Sequence, residues 1–354
     1  MGPSFAERVL SIQSHVVYGY VGGKAAVFPL QCLGYDVDVV NTVHFSNHSG
    51  YGRSGGTKAT TAELNAIFEG MELNELMIHT RLLTGYVPSA EGLSAVAKLA
   101  RKLKGERPNL IYLLDPVLGD AGQLYVAADV IPIYREMLPL ATIISPNWFE
   151  VETLTDTKLE DLPSLRKAIS ILHEKYHVPN IVISSIPLTP WLSSALPSKI
   201  EHTTDTDKLL CITSSFSPDS DQGRPIVYAQ SVPLIPGYFS GVGDLFSALL
   251  LAHFPHPTIS NTDFSSPETT SIARAAAYAL ATTHHILCLT HAHATTLPEH
   301  ERLSTDDEAD VVEPLRKTRR MRGRELRVIQ GQAAIRGVGV DVKPLVLWDR
   351  FWDI

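Results

Sequence analysis

Short apolar runs alternate with stretches of helical spacing along residues 8–289, and few folds accommodate that alternation. Residues 110–114, Leu-Ile-Tyr-Leu-Leu, form a continuous apolar run, as a parallel strand covered on both faces requires. Strands are likewise expected at 8–11, 36–43, 81–84, 142–144, 180–186 and 226–234. Helical spacing marks 24–33, 62–71, 90–104, 162–176, 241–254 and 271–289, with Gly34 and Gly105 read as stops for the first and third. The fold class that follows is α/β: a doubly wound, mostly parallel central sheet with helices on both faces.

One large domain over 1–354 suits the length. Two stretches break the pattern. Residues 187–225 are rich in Ser, Thr, Pro and Asp, with one strand-like run at 209–213, and read as an irregular insertion or exposed hairpin region. Residues 298–324 join an acidic half (Asp306, Asp307, Glu308, Asp310) to a basic half (Arg316, Lys317, Arg319, Arg320, Arg322, Arg324). That composition reads as a disordered, solvated insertion, with a nuclear address or nucleic-acid patch as the sharper alternative. Residues 326–335 are expected to return as a strand.

The net charge of −8 argues against a general nucleic-acid binder. Cys32, Cys211 and Cys288 form neither a CxxC pair nor a disulfide framework, which suits a reducing compartment. No apolar stretch reaches the length of a membrane span, and residues 1–7 lack a signal-peptide start. A soluble cytoplasmic protein is expected, with nuclear presence left open by the basic run.

Polar residues collect where the expected strands end: Ser14, Asp115, Asn147, Ser184 and Ser185. Ligands of doubly wound sheets gather at that carboxyl edge, so the convergence says more than any single motif. Gly241-Val242-Gly243-Asp244 adds a Gly-x-Gly turn opening an apolar helix. A helix start offers unpaired N–H groups and the positive end of the dipole, and glycines let a phosphate come close. Asp244 beside such a cradle could take an alcohol proton while a phosphoryl group moves. Acidic residues also favour first turns for dipole reasons alone. The helix start is expected to lower the Asp244 pKa, leaving a weak base that works by position.

Asp115 and Asp120, on the loop after the 110–114 strand, offer hard oxygens for a divalent ion on nucleotide phosphates, directly or through water. An Asp-Pro turn is the plain alternative for Asp115. Asn147 and Glu150 make a capping-box pattern, which accounts for both without function; phosphate and metal contact is the functional reading. His284, Cys288 and His291 could share a helix face suited to zinc, but no fourth ligand follows. There is no G-x-x-x-x-G-K-[ST] loop, so any use of ATP rests on contacts scattered over strand ends.

Longer strings then match a known family. Residues 8–17 (RVLSIQSHVV) with Gly19-Tyr20-Val21-Gly22, residues 45–51 (FSNHSGY), Leu83-Thr84-Gly85-Tyr86, residues 115–120 (DPVLGD) and Gly241-x-Gly243-Asp244 resemble pyridoxal kinases of the ribokinase-like superfamily, in order and spacing. The resemblance spans residues 8–295 and a tail near 325–336. It implies ATP-dependent phosphorylation of the 5′-hydroxymethyl group of pyridoxal, pyridoxine and pyridoxamine. It also implies Mg²⁺ or another divalent ion, a monovalent cation such as K⁺, and a homodimer.

Carried over by position, Ser14, Ser49 and Tyr86 resemble pyridine-ring contacts, with Val21 and Phe45 lining the pocket. Asp115, Asp120, Ser145, Asn147, Ser184 and Ser185 match nucleotide-associated positions, and Asp115 and Glu150 metal-associated ones. Tyr125 falls in a segment similar to the nucleotide-covering loop. Asp244 matches the base, beside backbone donors at Gly241, Val242 and Gly243.

Three positions depart from the family pattern. Val242 stands where threonine is usual, so a hydroxyl contact to phosphate is lost while the backbone donors remain. The loop Ala121-Gly122-Gln123-Leu124-Tyr125 is short beside its animal relatives, so closure over ATP is expected to differ. Ser49 replaces a threonine but keeps the hydroxyl. Two other functions stand as alternatives. One is a related hydroxymethylpyrimidine or sugar kinase; the set Ser14, Ser49 and Tyr86 argues against a sugar. The other is a vitamin B6 carrier or sensor without turnover, with Val242 as its only support.

Overall fold

The computed structural model describes residues 7–120, 122–200, 208–216, 223–256, 269–299, 302 and 307–353. In chain order its strands are β1 (Arg8–Val16), β2 (Asp36–Phe45), β3 (Gly56–Lys58), β4 (Arg81–Thr84), β5 (Ile111–Leu114), β6 (Gly119–Asp120), β7 (Gln123–Leu124), β8 (Ile143–Ile144), β9 (Asn180–Pro187), β10 (Lys208–Ser215), β11 (Ile226–Pro233) and β12 (Val346–Leu347). The helices are α1 (Gly23–Cys32), α2 (Thr61–Leu73), α3 (Ala90–Glu106), α4 (Val130–Met137), α5 (Trp148–Thr155), α6 (Leu162–Ser170), α7 (Pro190–Ala195), α8 (Val242–His253), α9 (Ser271–Thr296), α10 (Asp307–Val312), α11 (Leu315–Arg322) and α12 (Gln332–Ile335).

Ten strands make one sheet, ordered β12-β11-β10-β9-β8-β5-β4-β1-β2-β3. From β9 to β2 every neighbour is parallel; β3 at one edge and β10 to β12 at the other run antiparallel to their neighbours. The chain leaves β1 towards β2 and then returns to its other side through β4. That reversal makes a switch point at the β1 and β4 carboxyl ends, where ligands of such sheets bind.

Successive side chains of the central strands point to opposite faces, and both faces are buried. Leu10, Ile12, Tyr112 and Leu114 point into a core completed by α2 to α6, and Val9, Ile111 and Leu113 into one completed by α1, α8 and α9. Arg81 at the start of β4 is 1% exposed, and its Nη1 donates to the Leu251 carbonyl (2.7 Å) and the Phe254 carbonyl (2.9 Å) at the end of α8. Charge-assisted bonds of this kind satisfy the orphan carbonyls of a helix end and fix α8 against the sheet.

Several expectations need correction. Residues 208–215, read within an irregular insertion, form a full strand between β9 and β11, because its buried Leu210 and Ile212 join the core. Residues 326–335 are not a strand. Leu326 and Val328 pack into the core beside α9, and only α12 is regular there; the strand that returns is β12. Within 298–324, α10 and α11 are helical; α10 keeps Val311 and Val312 in solvent, while α11 packs against the protein. Arg320 and Met321 are buried, and Asp310 pairs with both Arg320 and Arg316. Other parts of both stretches, 201–207, 217–222, 300–301 and 303–306, lie outside the described residues, as does Ala121. Helix α3 runs through Gly105 to Glu106, and β1 extends through Ser14. No described helix is long and apolar enough to cross a membrane.

Candidate active site

The carboxyl edge of the sheet opens into a cavity of ≈ 650 Å³. Ser14, Val21, Phe45, Ser49 and Tyr86 line it on the β2–β1–β4 side. Asp115, Asp120, Tyr125, Ser145, Asn147, Glu150, Ser184 and Ser185 line it from β5 to β9. Gly241, Val242, Gly243 and Asp244 enter it at the start of α8. The structure thus brings every residue expected at the vitamin, nucleotide or metal site to one cavity.

Two glycines make this packing possible. Gly22 has φ 53°, and a Cβ there would lie 2.2 Å from the Ser14 hydroxyl and carbonyl oxygens. Gly241 has φ 80°, and its Cβ would lie 2.0 Å from the Tyr20 carbonyl. The loop before α1 therefore folds over Ser14 and against the start of α8, and only glycine permits either contact.

Asp244 Oδ2 accepts the Gly22 N–H at 2.7 Å. One turn along α8, Ser247 Oγ donates to Asp115 Oδ2 at 2.8 Å, which locks the helix to the end of β5. Burial, with the charge of Asp244 added, pushes Asp115 up to about 7 against the Ser247 bond. Burial and the Asp115 charge raise Glu150 well above the usual carboxylate range, against backbone N–H bonds from Asn147, Leu118 and Gly119. Burial also raises Asp244, opposed by the Gly22 N–H. This reverses the expected lowering, because removal from water outweighs the dipole of one helix turn.

The capping box at Asn147 and Glu150 is present, and Asn147 Nδ2 also donates to the Gly119 carbonyl of the β6–β7 hairpin (2.8 Å). Tyr125, just after that hairpin, is hydrogen-bonded to Tyr238 from the loop before α8. Both rings line the cavity, so the hairpin reaches across its mouth.

A divalent cation fits this donor set. Asp115 and Glu150 are buried carboxylates that repel each other, and the buried Ser145 hydroxyl has no hydrogen-bond partner. Among the described residues there is no group of three or more His, Cys, Asp or Glu able to hold a metal. Few protein ligands suit an ion held mainly by phosphates and water.

A family model described as phosphomethylpyrimidine kinase matches residues 35–195. A pyridoxal kinase of Arabidopsis thaliana is 36% identical over 343 residues, covering 96% of this chain and 95% of the relative. The chain belongs to the pyridoxal kinase family. The human pyridoxal kinase is 36% identical over 287 residues, 79% of this chain and 84% of its own. A solved pyridoxal kinase of Leishmania donovani, in complex with ADP and pyridoxamine, superposes with TM-score 0.74 at 28% identity, covering 96% of this chain and 99% of the other.

The cavity wall of this pyridoxal kinase family member also includes residues that the sequence did not place there. Leu280, Thr283, His284 and Leu287 form an i, i+3, i+4, i+7 stripe of α9 on the cavity wall, facing Val232 to Ile235 from the end of β11. His284 was singled out for zinc, with Cys288 and His291; instead it lines the cavity, its Nε2 3.5 Å from the Cys288 sulfur. Burial lowers the His284 pKa and raises that of Cys288. The helical stripe was the available signal. His48, 7% exposed and also on the wall, lay inside the FSNHSGY string without a role.

Proposed function

We propose that the chain transfers the γ-phosphoryl group of ATP to the 5′-hydroxymethyl oxygen of pyridoxal, pyridoxine and pyridoxamine. The observation that carries this reading is the shared cavity: the glycine-flanked start of α8 opens between Ser14 and Tyr86 on one side and the β5–β9 strand ends on the other. A flat heterocycle suits the first side, where Tyr86 offers a ring face and Ser14 a hydroxyl. A nucleotide suits the second, beneath the hairpin carrying Tyr125.

In the proposed step Asp244 takes the proton of the substrate hydroxyl. The oxygen forms a bond to the γ-phosphorus as the bond to the β-bridging oxygen breaks, and ADP leaves with that electron pair. Charge on the moving group is met by the N–H groups at Gly241, Val242 and Gly243, which a helix start leaves without intrahelical partners. The raised pKa of Asp244 brings the base towards the working pH and so favours proton uptake. Asp115, Glu150 and Ser145 would hold a divalent ion, Mg²⁺ in this proposal, which supplies positive charge to the phosphates when bound. Homodimer assembly and action in the cytoplasm complete the proposal; the first rests on the family resemblance and the second on three free cysteines.

The test is a steady-state assay with ATP, Mg²⁺ and each of the three vitamers, with hydroxymethylpyrimidine as a competing alcohol. Turnover with the vitamers at a kcat/KM well above that of the pyrimidine supports the reading. Pyridoxal binding with ATP left intact would replace it by a carrier.

A further inference from the structure

We propose that Glu325 is a positioning residue for the vitamin substrate, holding the two loops that flank it through His48, Tyr51 and the backbone of Tyr20. This rests on the kinase reading of the cavity above. Glu325 lies beyond α11, outside the cavity lining, and its side chain is 12% exposed. Its Oε1 accepts the Tyr51 hydroxyl (2.6 Å) and faces His48 Nε2 at 3.0 Å, and its Oε2 accepts the Tyr20 N–H (2.8 Å).

The loops so joined are those before α1 and after β2. Their bases already pair, Val17 N–H to the Phe45 carbonyl and Tyr18 N–H to the Ser46 carbonyl. Glu325 ties the parts further out. Space for it comes from Gly19, which has φ 98° and whose Cβ would lie 2.5 Å from Glu325 Oε1. Gly50 N–H donates to His48 Nδ1 (3.2 Å), so Nδ1 is an acceptor and the ring proton sits on Nε2, directed at Glu325. The carboxylate thereby fixes both the tautomer and the orientation of a cavity-wall imidazole.

Each tether leads to the site. His48 and its neighbour Ser49 line the cavity, as does Val21, next to Tyr20. The Tyr20 carbonyl fills the space that a side chain at Gly241 would need, and Gly22 N–H holds Asp244. Burial pushes the Glu325 carboxyl up, but the bonds from His48, Tyr51 and Tyr20 more than offset it and hold its pKa below the usual range. An ionised acceptor makes these bonds charge-assisted and short, suited to orienting a ring rather than merely filling space. Helix α11 delivers the residue: Met321 packs beside Gly50 and Lys317 beside Gly52.

The variants are Glu325→Ala, Glu325→Gln and Tyr51→Phe, each assayed for pyridoxal KM, ATP KM, kcat and Tm. Loss of a partner that orients a binding group from behind costs about 10-fold to 100-fold at metal sites, and the lower end of that scale applies to an imidazole and hydroxyl held by one carboxylate. Pyridoxal KM is expected to rise about tenfold in Glu325→Ala and about threefold in the two milder variants, with ATP KM within about twofold of wild type. Should the alanine variant fail to fold, Tyr51→Phe decides, since it deletes one hydroxyl. An unchanged pyridoxal KM, or pyridoxal and ATP KM values rising together as Tm falls, overturns the proposal. Absence of turnover in wild type refutes the kinase reading instead; pyridoxal Kd by absorbance titration then takes the place of KM, with the same expected ratios.

Discussion

The backbone N–H of Gly22 is hydrogen-bonded to the side chain of Asp244 across 222 residues of chain. The acid at the start of α8 is therefore tethered to the loop that covers Ser14. The loop over Ser14 and the start of α8 share one geometry, and a disturbance of either reaches the other.

Gly241→Ala tests that coupling. A Cβ there would lie 2.0 Å from the Tyr20 carbonyl, on a residue with φ 80°. The loop or the helix start must shift, and a displacement of about 1 Å near reacting atoms costs on the order of 100-fold in rate. The kcat with pyridoxal and ATP is expected to fall by about that factor. Circular dichroism should retain the wild-type spectrum, since the change sits at a cap.

Asp115 carries a pH signature. Its pKa rises from 3.8 in the free residue to about 7 in the fold, so folding favours the protonated form. Its contribution to stability is full below pH 3.8 and is lost as the pH rises through about 7. Asp115→Asn keeps a neutral group of the same shape that can still accept from Ser247. The ligand-free variant is expected to melt above wild type at pH 8 by a few degrees, for a gain of about 1–4 kcal/mol. The gap should shrink as the pH falls and vanish near pH 4, about the pKa of a free aspartate. Turnover of the variant should be low, because the proposed divalent ion would lose a carboxylate.

Val242 sits at the first position of α8, on the cavity wall. Threonine has nearly the same shape, and its hydroxyl adds a donor for phosphate. A hydrogen bond to a charged group contributes about 1.5 kcal/mol or more, so Val242→Thr should lower ATP KM about tenfold or more. Pyridoxal KM should not move.

The parts of the fold legible in the sequence were those set by local pattern. The all-apolar run of β5, the stop at Gly34 and the polar residue at each strand end are local, and they located Ser14, Asp115 and Asp244 at one edge. What depends on distant partners was not legible. Glu325 meets Tyr20, His48 and Tyr51 at separations of 305, 277 and 274 residues, directly after a stretch that reads as charged coil. Strand β12 has two residues, too few to show a period. The Leu326 and Val328 alternation imitated a strand because both side chains are buried in the core beside α9. The direction of the Asp244 shift was misjudged for the same reason: a dipole is visible in sequence, the depth of a cavity is not.

The most direct measurement is the turnover of Asp244→Asn with pyridoxal and ATP, alongside its pyridoxal Kd. Loss of a positioned base is expected to lower kcat by about 100-fold to 10,000-fold while Kd stays within about threefold of wild type. A variant that turns over at close to the wild-type rate would remove Asp244 from the chemistry and leave the start of α8 as a phosphate cradle alone.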